Sequence, residues 1–188
     1  MKSHKIIGIA GTNGSGKDSL GQILADDYGW LFVSVTEILR AEARKRGLPI
    51  ERKTLWTISA EWRRQSGLGV LVNKAVKQFE KSGGKYKGLA VASLRNPGEA
   101  DRIHELGGKV VWVDADPKLR YERTESRSRS PEDHKTFEEF LVIQQAEMQQ
   151  EGDDATLSLV GVKAKADIFL ENNGTLEEFK AAIKRILF

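Results

Sequence analysis

The run Gly11-Thr12-Asn13-Gly14-Ser15-Gly16-Lys17-Asp18-Ser19 brings together three glycines, a lysine and a hydroxyl at spacings suited to holding phosphate. Glycines at 11, 14 and 16 let the backbone curl, so that successive N–H groups, with Asn13 and Ser15 among them, can turn inward on phosphate oxygens. Lys17 can reach the β- and γ-phosphates of a nucleotide as a point charge. The helix expected to start there adds the partial positive charge of its N-terminus. The Ser19 hydroxyl can hold Mg²⁺, so ATP and Mg²⁺ are the cofactors this loop implies. In the general pattern Ser or Thr follows the lysine directly; here Asp18 does, and the hydroxyl comes one place later. Asp18 is counted with the nucleotide-binding residues, close to the metal.

The loop needs a strand before it and a helix after it, and both are legible. Lys-Ile-Ile-Gly-Ile-Ala precedes it and Ser-Leu-Gly-Gln-Ile-Leu follows. Short apolar, β-branched runs alternate with helical patterns along the chain, which is the signature of βαβ units on a parallel sheet. Strands are expected at Lys5–Ala10, Trp30–Val35, Gly88–Ser93, Lys109–Asp114 and Asp167–Leu170. Helices are expected at Lys17–Asp27, Thr36–Arg46, Arg52–Gln65, Val70–Lys81, Pro97–Leu106, Lys118–Arg127 and Thr136–Gln150. The helix over 136–150 places Phe137, Phe140, Leu141 and Met148 near one face. A last helix opens with Thr175 and Glu178 as a capping box and repeats Leu176, Phe179, Ile183, Ile186 and Leu187 at helical spacing.

Composition narrows the classes. The 188 residues suit one domain, and 39% hydrophobic with 30% charged residues excludes a disordered or collagen-like chain. No apolar run approaches the roughly 18 residues of a membrane helix, and no apolar stretch resembles an export signal, so a cytoplasmic protein is expected. With no cysteine, disulfides, thiolate metal sites and cysteine nucleophiles are excluded together. His4, His104 and His134 lack metal-ligand spacing. The net charge of +3 is unevenly spread: eight basic and three acidic residues between Arg40 and Arg64, and five and two from Lys118 to Arg129. From Glu132 to Asp154 eight acids stand against Lys135. Local clusters of this kind fit a small anion in a pocket better than a long polyanion, which argues against nucleic acid.

With these motifs in hand, the chain resembles the small P-loop kinases: adenylate and other nucleoside monophosphate kinases, phage-type deoxynucleotide kinases and dephospho-CoA kinase. The Gly-x-x-Gly-x-Gly-Lys-x-Ser spacing is that of the monophosphate kinase loop. The resemblance implies a three-layer α/β fold: a five-stranded parallel sheet of order 2-3-1-4-5 with helices on both faces. It also implies one domain over 1–188, with a helical acceptor region at 36–82 and a short lid at 120–135. Ser34-Val35-Thr36-Glu37-Ile38-Leu39-Arg40 is similar to the segment that opens the acceptor subdomain, so Thr36 and Arg40 are implied substrate-binding residues. A planar guanidinium matches the oxygens of a phosphate. Ala92-Ser93-Leu94-Arg95-Asn96-Pro97 looks like the arginine-bearing loop, in which Arg95 holds the acceptor phosphate or bridges the two phosphates in transfer. Asp116 to Arg129 resembles the helix entering the lid, with Arg123 and Arg127 four apart, closing over ATP. Ala166 to Thr175 is similar to the last strand and turn, where Asn173 borders the adenine.

The implied activity is ATP-dependent phosphoryl transfer to a small phosphorylated acceptor, a nucleoside or deoxynucleoside monophosphate, with Lys17, Arg95, Arg123 and Arg127 serving the transfer. Dephospho-CoA kinase is the alternative within the enzymes, although the segment 29–35 lacks the acid that a ribose hydroxyl would want. A nucleotide-binding regulator is the alternative outside them, because the third strand, Leu89-Ala90-Val91-Ala92-Ser93, carries no acid for Mg²⁺. Asp114 reads as a structural carboxylate. Trp30 and Trp112 read as core, and Trp56 and Trp62 fall in the acceptor region. The oligomeric state is left open.

Overall fold

Strands made of Val, Ile, Leu and Ala with no polar face are suited only to a sheet covered on both sides. The computed structural model, which describes residues 5–127, 135–148 and 151–188, shows such a sheet. β1 (Lys5–Gly11) lies at its centre, between β3 (Gly88–Ala92) and β4 (Lys109–Asp114). β2 (Leu31–Ser34) pairs with β3 and β5 (Ile168–Glu171) with β4, giving the order β2-β3-β1-β4-β5 with every pairing parallel. All five residues of β3 and the four central residues of β4 are buried.

Alternate side chains along the strands feed two cores. On one face Ile7, Ile9, Ala92, Val111 and Val113 pack under α1 (Lys17–Tyr28) and α9 (Leu176–Leu187). On the other, Ala10, Leu89, Val91, Val110 and Trp112 pack under α2 (Val35–Lys45), α3 (Arg52–Ser66), α4 (Val70–Lys81) and α5 (Pro97–Glu105). α6 (Pro117–Arg127) and α7 (Phe137–Met148) meet through Tyr121, set edge-on to Phe137 and Phe140. No helix among the described residues is long and apolar enough to cross a membrane.

The expected fold is the observed one, with local differences. β2 ends before Val35, because Val35 already opens α2; Trp30 lies just outside the strand yet is buried. A short helix, α8 (Leu159–Ala164), occupies a stretch to which the sequence assigns no element. Its six residues, with Gly161 among them, are too few to show a period, and it is fixed instead by its Ser158 cap and by buried Leu159 and Val162. The apolar face of α9 is narrower than expected: Phe179 and Ile183 are buried, while Leu176 and Ile186 are exposed. One helix on one edge of a sheet has only a narrow stripe to bury. In α7 Leu141 is exposed, and the inward face runs from Phe137 and Phe140 through Gln144 to Glu147. Residues 1–4, including His4, and 128–134, including His134, lie outside the described residues.

The α9 geometry gives a direct contrast. Ile183→Ala should cost about 2–4 kcal/mol through the cavity it opens, lowering Tm by roughly 5–15 °C for a chain of this size. Leu176→Ala should stay within about 0.5 kcal/mol. Thermal unfolding of the two variants checks this, and equal losses would refute the assignment of the face.

Candidate active site

The carboxyl ends of β1, β2, β3 and β4 bring their following loops to one edge of the sheet, the place where open parallel sheets take ligands. The loop after β1 is shaped by contacts that only glycine permits. Gly14 has φ of 78° and its α-carbon abuts the backbone of Arg120 in the first turns of α6. Gly16, with φ of 99°, forms the left-handed N-cap of α1 and lies against the Asn172 side chain. Asn172 Nδ2 donates to the carbonyl of Ser15 at 2.9 Å, and its own backbone N–H donates to Asp114 at 2.9 Å. Thr12 Oγ1 donates to Asp114 Oδ1 at 3.3 Å, so the loop is tied to β4 and to the turn after β5. Ser15 Oγ is buried and has no hydrogen-bond partner among the described residues, and Lys17 stands at the adjoining helix start, 7% exposed. This set fits an oxygen-rich anion.

A cavity of about 480 Å³ opens in front of the loop. Lys17, Asp18 and Ser19 form its floor, and Arg40, Arg52, Arg63 and Arg95 enter its walls from α2, α3 and the loop after β3. Each of these arginines faces a carboxylate. Arg40 pairs with Glu37 at 2.5 Å on the surface of α2. Arg63, 2% exposed, pairs with Glu99 at 2.7 Å and donates to the carbonyl of Ala155 at 3.0 Å. The second Glu99 oxygen accepts the backbone N–H groups of Arg95 at 2.8 Å and Asn96 at 3.2 Å. Ser93, at the end of β3, is buried with φ of 69°, an uncommon conformation for a residue with a side chain. The chain turns there and carries Arg95 to the cavity.

The third carboxylate, shared by Arg52 and Arg95, comes from α7. Glu147 pairs with Arg52 at 2.5 Å and with Arg95 at 3.5 Å, its side chain only 4% exposed. Burial works to raise the Glu147 pKa, but attraction to Arg95, Arg52 and Lys17 outweighs it and holds the carboxyl below its usual range. Glu147 is therefore ionised at neutral pH, in a wall otherwise suited to anions.

The model of the AAA domain family AAA_18 matches residues 7–150. The chain belongs to this family. It is 31% identical to a UPF0200 protein of Pyrococcus abyssi over 97% of this chain and 95% of that one. It is 33% identical to a UPF0200 protein of Hyperthermus butylicus over 97% and 92%. Among solved structures, shikimate kinase from Bacteroides thetaiotaomicron superposes with a TM-score of 0.61 at 11% identity, over 96% of this chain and 95% of its own. The fold is thus that of a P-loop kinase.

For this AAA-domain chain, the residues singled out by sequence fall into two groups. Asn13, Lys17, Asp18, Ser19, Thr36, Arg40 and Arg95 all line the one cavity, with Gly11, Gly14, Ser15 and Gly16 shaping the loop behind it. Arg123 instead donates to the backbone carbonyl of Asn172 at 2.9 Å, and the Arg127 side chain lies outside the described residues. The Asn173 side chain accepts the N–H of Asp116 at 2.7 Å; its neighbour Asn172 is the one that touches the loop. Asp114 accepts Thr12, Trp112 Nε1 and the N–H of Ala115, as befits a structural carboxylate. Trp62 packs against the core beneath Lys74, whereas Trp56 lines the cavity.

Sequence reasoning missed Glu99, Arg63, Arg52 and Glu147. Glu99 was detectable as the fourth residue of Asn96-Pro97-Gly98-Glu99, a capping box that the structure forms in full. Replacing Glu99 by Gln leaves Arg63 without its buried counter-charge, which should cost about 3 kcal/mol or more. Urea unfolding measures this; a loss under about 1 kcal/mol would refute the structural role given to the pair.

Proposed function

We propose that this protein transfers the terminal phosphoryl group of ATP to a small phosphorylated acceptor, in its simplest form a nucleoside or deoxynucleoside monophosphate. The observation that supports this most is the placing of a phosphate-binding loop and of Arg40, Arg52 and Arg95 around one cavity. Loop amides and Lys17 would hold the donor phosphates, and Ser19 would hold Mg²⁺ with Asp18 beside it. The metal, when bound, would neutralise charge on the bridged phosphates. Arg40 and Arg95, with Arg52 beside Arg95, would grip the acceptor phosphate and set it in line with the donor, with Thr36 at the same wall. The segment 36–82 is then the acceptor region and 120–135 the lid, in which Arg123, bonded to the turn beside the loop, would add positive charge close to the transferred group. Positioning and charge carry such a reaction, so it requires no strong base.

The test supplies ATP and Mg²⁺ with a panel of ribo- and deoxyribonucleoside monophosphates and dephospho-CoA, and measures ADP release. Acceptor-dependent turnover is expected. ATP binding without turnover on any acceptor would replace this reading with that of a nucleotide-binding regulator. Lys17→Ala should reduce turnover by at least about 10²-fold. Arg40→Ala should raise KM for the acceptor about tenfold or more and leave the affinity for ATP unchanged. An unaltered acceptor KM would remove Arg40 from the site.

A further inference from the structure

We propose that Glu147 sets the specificity of the acceptor site. Its carboxylate takes the place of the acceptor's anionic group between Arg52 and Arg95 in the ligand-free protein. A ligand must therefore carry a phosphomonoester dianion to displace it, and a singly charged carboxylate does not suffice. This rests on the acceptor-site reading above.

The geometry supplies the argument. One Glu147 oxygen lies 2.5 Å from Arg52 Nη1 and the other 3.5 Å from Arg95 Nη1. The first contact is a tight charge-assisted hydrogen bond and the second is an ion pair without one. Arg95 Nη1 is buried and has no hydrogen-bond partner among the described residues. Two guanidinium groups thus share one carboxylate in this wall, and one inward-facing donor, Arg95 Nη1, is left without an acceptor among the described residues. A phosphomonoester corrects both deficits, since it carries close to two charges near neutral pH and three acceptor oxygens. An acceptor carboxylate corrects neither. It has the same charge and the same two oxygens as Glu147, and it gives up translational freedom that the tethered side chain has already lost. The competition therefore favours the side chain over a free carboxylate and the dianion over the side chain.

The other acids that line the cavity do not share this position. Glu37 sits with Arg40 on the exposed surface of α2, Asp18 stands in the first turn of α1, and Glu51 is the exposed N-cap residue of α3. Glu147 alone among them belongs to α7, where Phe140 and Gln144 lie against Arg120 of α6.

Inorganic phosphate and acetate at pH 7.5, each added to protein saturated with ADP and Mg²⁺ so that the loop is filled, separate the cases. The readout is the NMR shift of the Arg52 and Arg95 Nε–Hε signals, assigned with Arg52→Lys and Arg95→Lys. In the unaltered protein phosphate should move both signals and acetate neither. In Glu147→Gln, phosphate should bind about tenfold more tightly, as expected when an internal competitor is removed, and acetate should now register at both arginines. Glu147→Asp, which keeps the charge but shortens its reach, should fall between the two and serves if the glutamine variant does not fold. Phosphate affinity unchanged or weakened in Glu147→Gln and Glu147→Asp overturns the proposal and leaves the acceptor site standing. Phosphate that moves neither arginine in any of these proteins overturns the acceptor site itself, and the role of Glu147 with it.

Discussion

The Glu99 carboxylate is fully buried, and its two oxygens receive four donors. Two come from the Arg63 guanidinium of α3, and two are the backbone amides of Arg95 and Asn96 that lead into α5. A buried carboxylate with fewer partners would be strongly destabilising, so these elements hold together or fail together. The pin joins α3, the loop after β3 and, through Arg63 and Ala155, the approach to α8. Asn96 adds two more bonds to that approach, from its Nδ2 to the carbonyls of Asp154 and Thr156 at 2.7 and 2.8 Å. The backbone that carries Arg95 is thereby fixed before any ligand arrives, which is the preorganisation that a positioning enzyme needs.

The two halves of the cavity are built on different principles. The loop after β1 is held by hydrogen bonds and close backbone packing: Gly14 under Arg120, Gly16 under Asn172, Ser15 bonded to Asn172 and Thr12 to the Asp114 carboxylate. None of these contacts uses the charge of Lys17, whose Nζ instead donates to the Thr12 carbonyl at 3.4 Å. On the facing wall Arg40, Arg52 and Arg95 are all engaged with carboxylates. Isolated arginines gathered around one cavity would repel one another, and the acids relieve that in the ligand-free protein. The same pairing makes entry a competition for charge, whereas entry on the donor side is a matter of fit.

What the sequence conveyed follows from the range of the forces involved. The phosphate-binding loop, the five strands and the capping boxes of α5 and α9 are set by neighbours within a few residues, and all of these were legible except the box of Asn96 and Glu99, which was there to be read. Arg40 and Arg95 could be picked out through resemblance. The partners Arg63–Glu99 and Arg52–Glu147 are 36 and 95 residues apart, a separation at which no local spacing rule applies. Glu147 was further hidden by the acidic stretch from 132 to 154, which by composition reads as one solvated run. The helical period held the missing information: positions 137, 140, 144 and 147 lie on one face, and its two polar members turn inward with the two aromatics.

Asn172 and Asn173 show how narrowly such roles divide. The turn after β5 offers two amides in succession, and alternation along an extended chain sends them to opposite sides. Asn172 points back to the loop and is buried, while Asn173 caps the backbone of Asp116 at the surface. Arg123 closes the circuit by donating to the Asn172 carbonyl, and Arg120 of the same helix lies against Gly14. Helix α6, the turn after β5 and the phosphate-binding loop therefore form one bonded unit. A shift of α6 would be felt directly at Ser15 and Gly16, whereas α7, through Glu147, is joined to the acceptor wall. Two consecutive helices thus serve the two sides of the cavity separately, α6 through backbone contacts and α7 through charge.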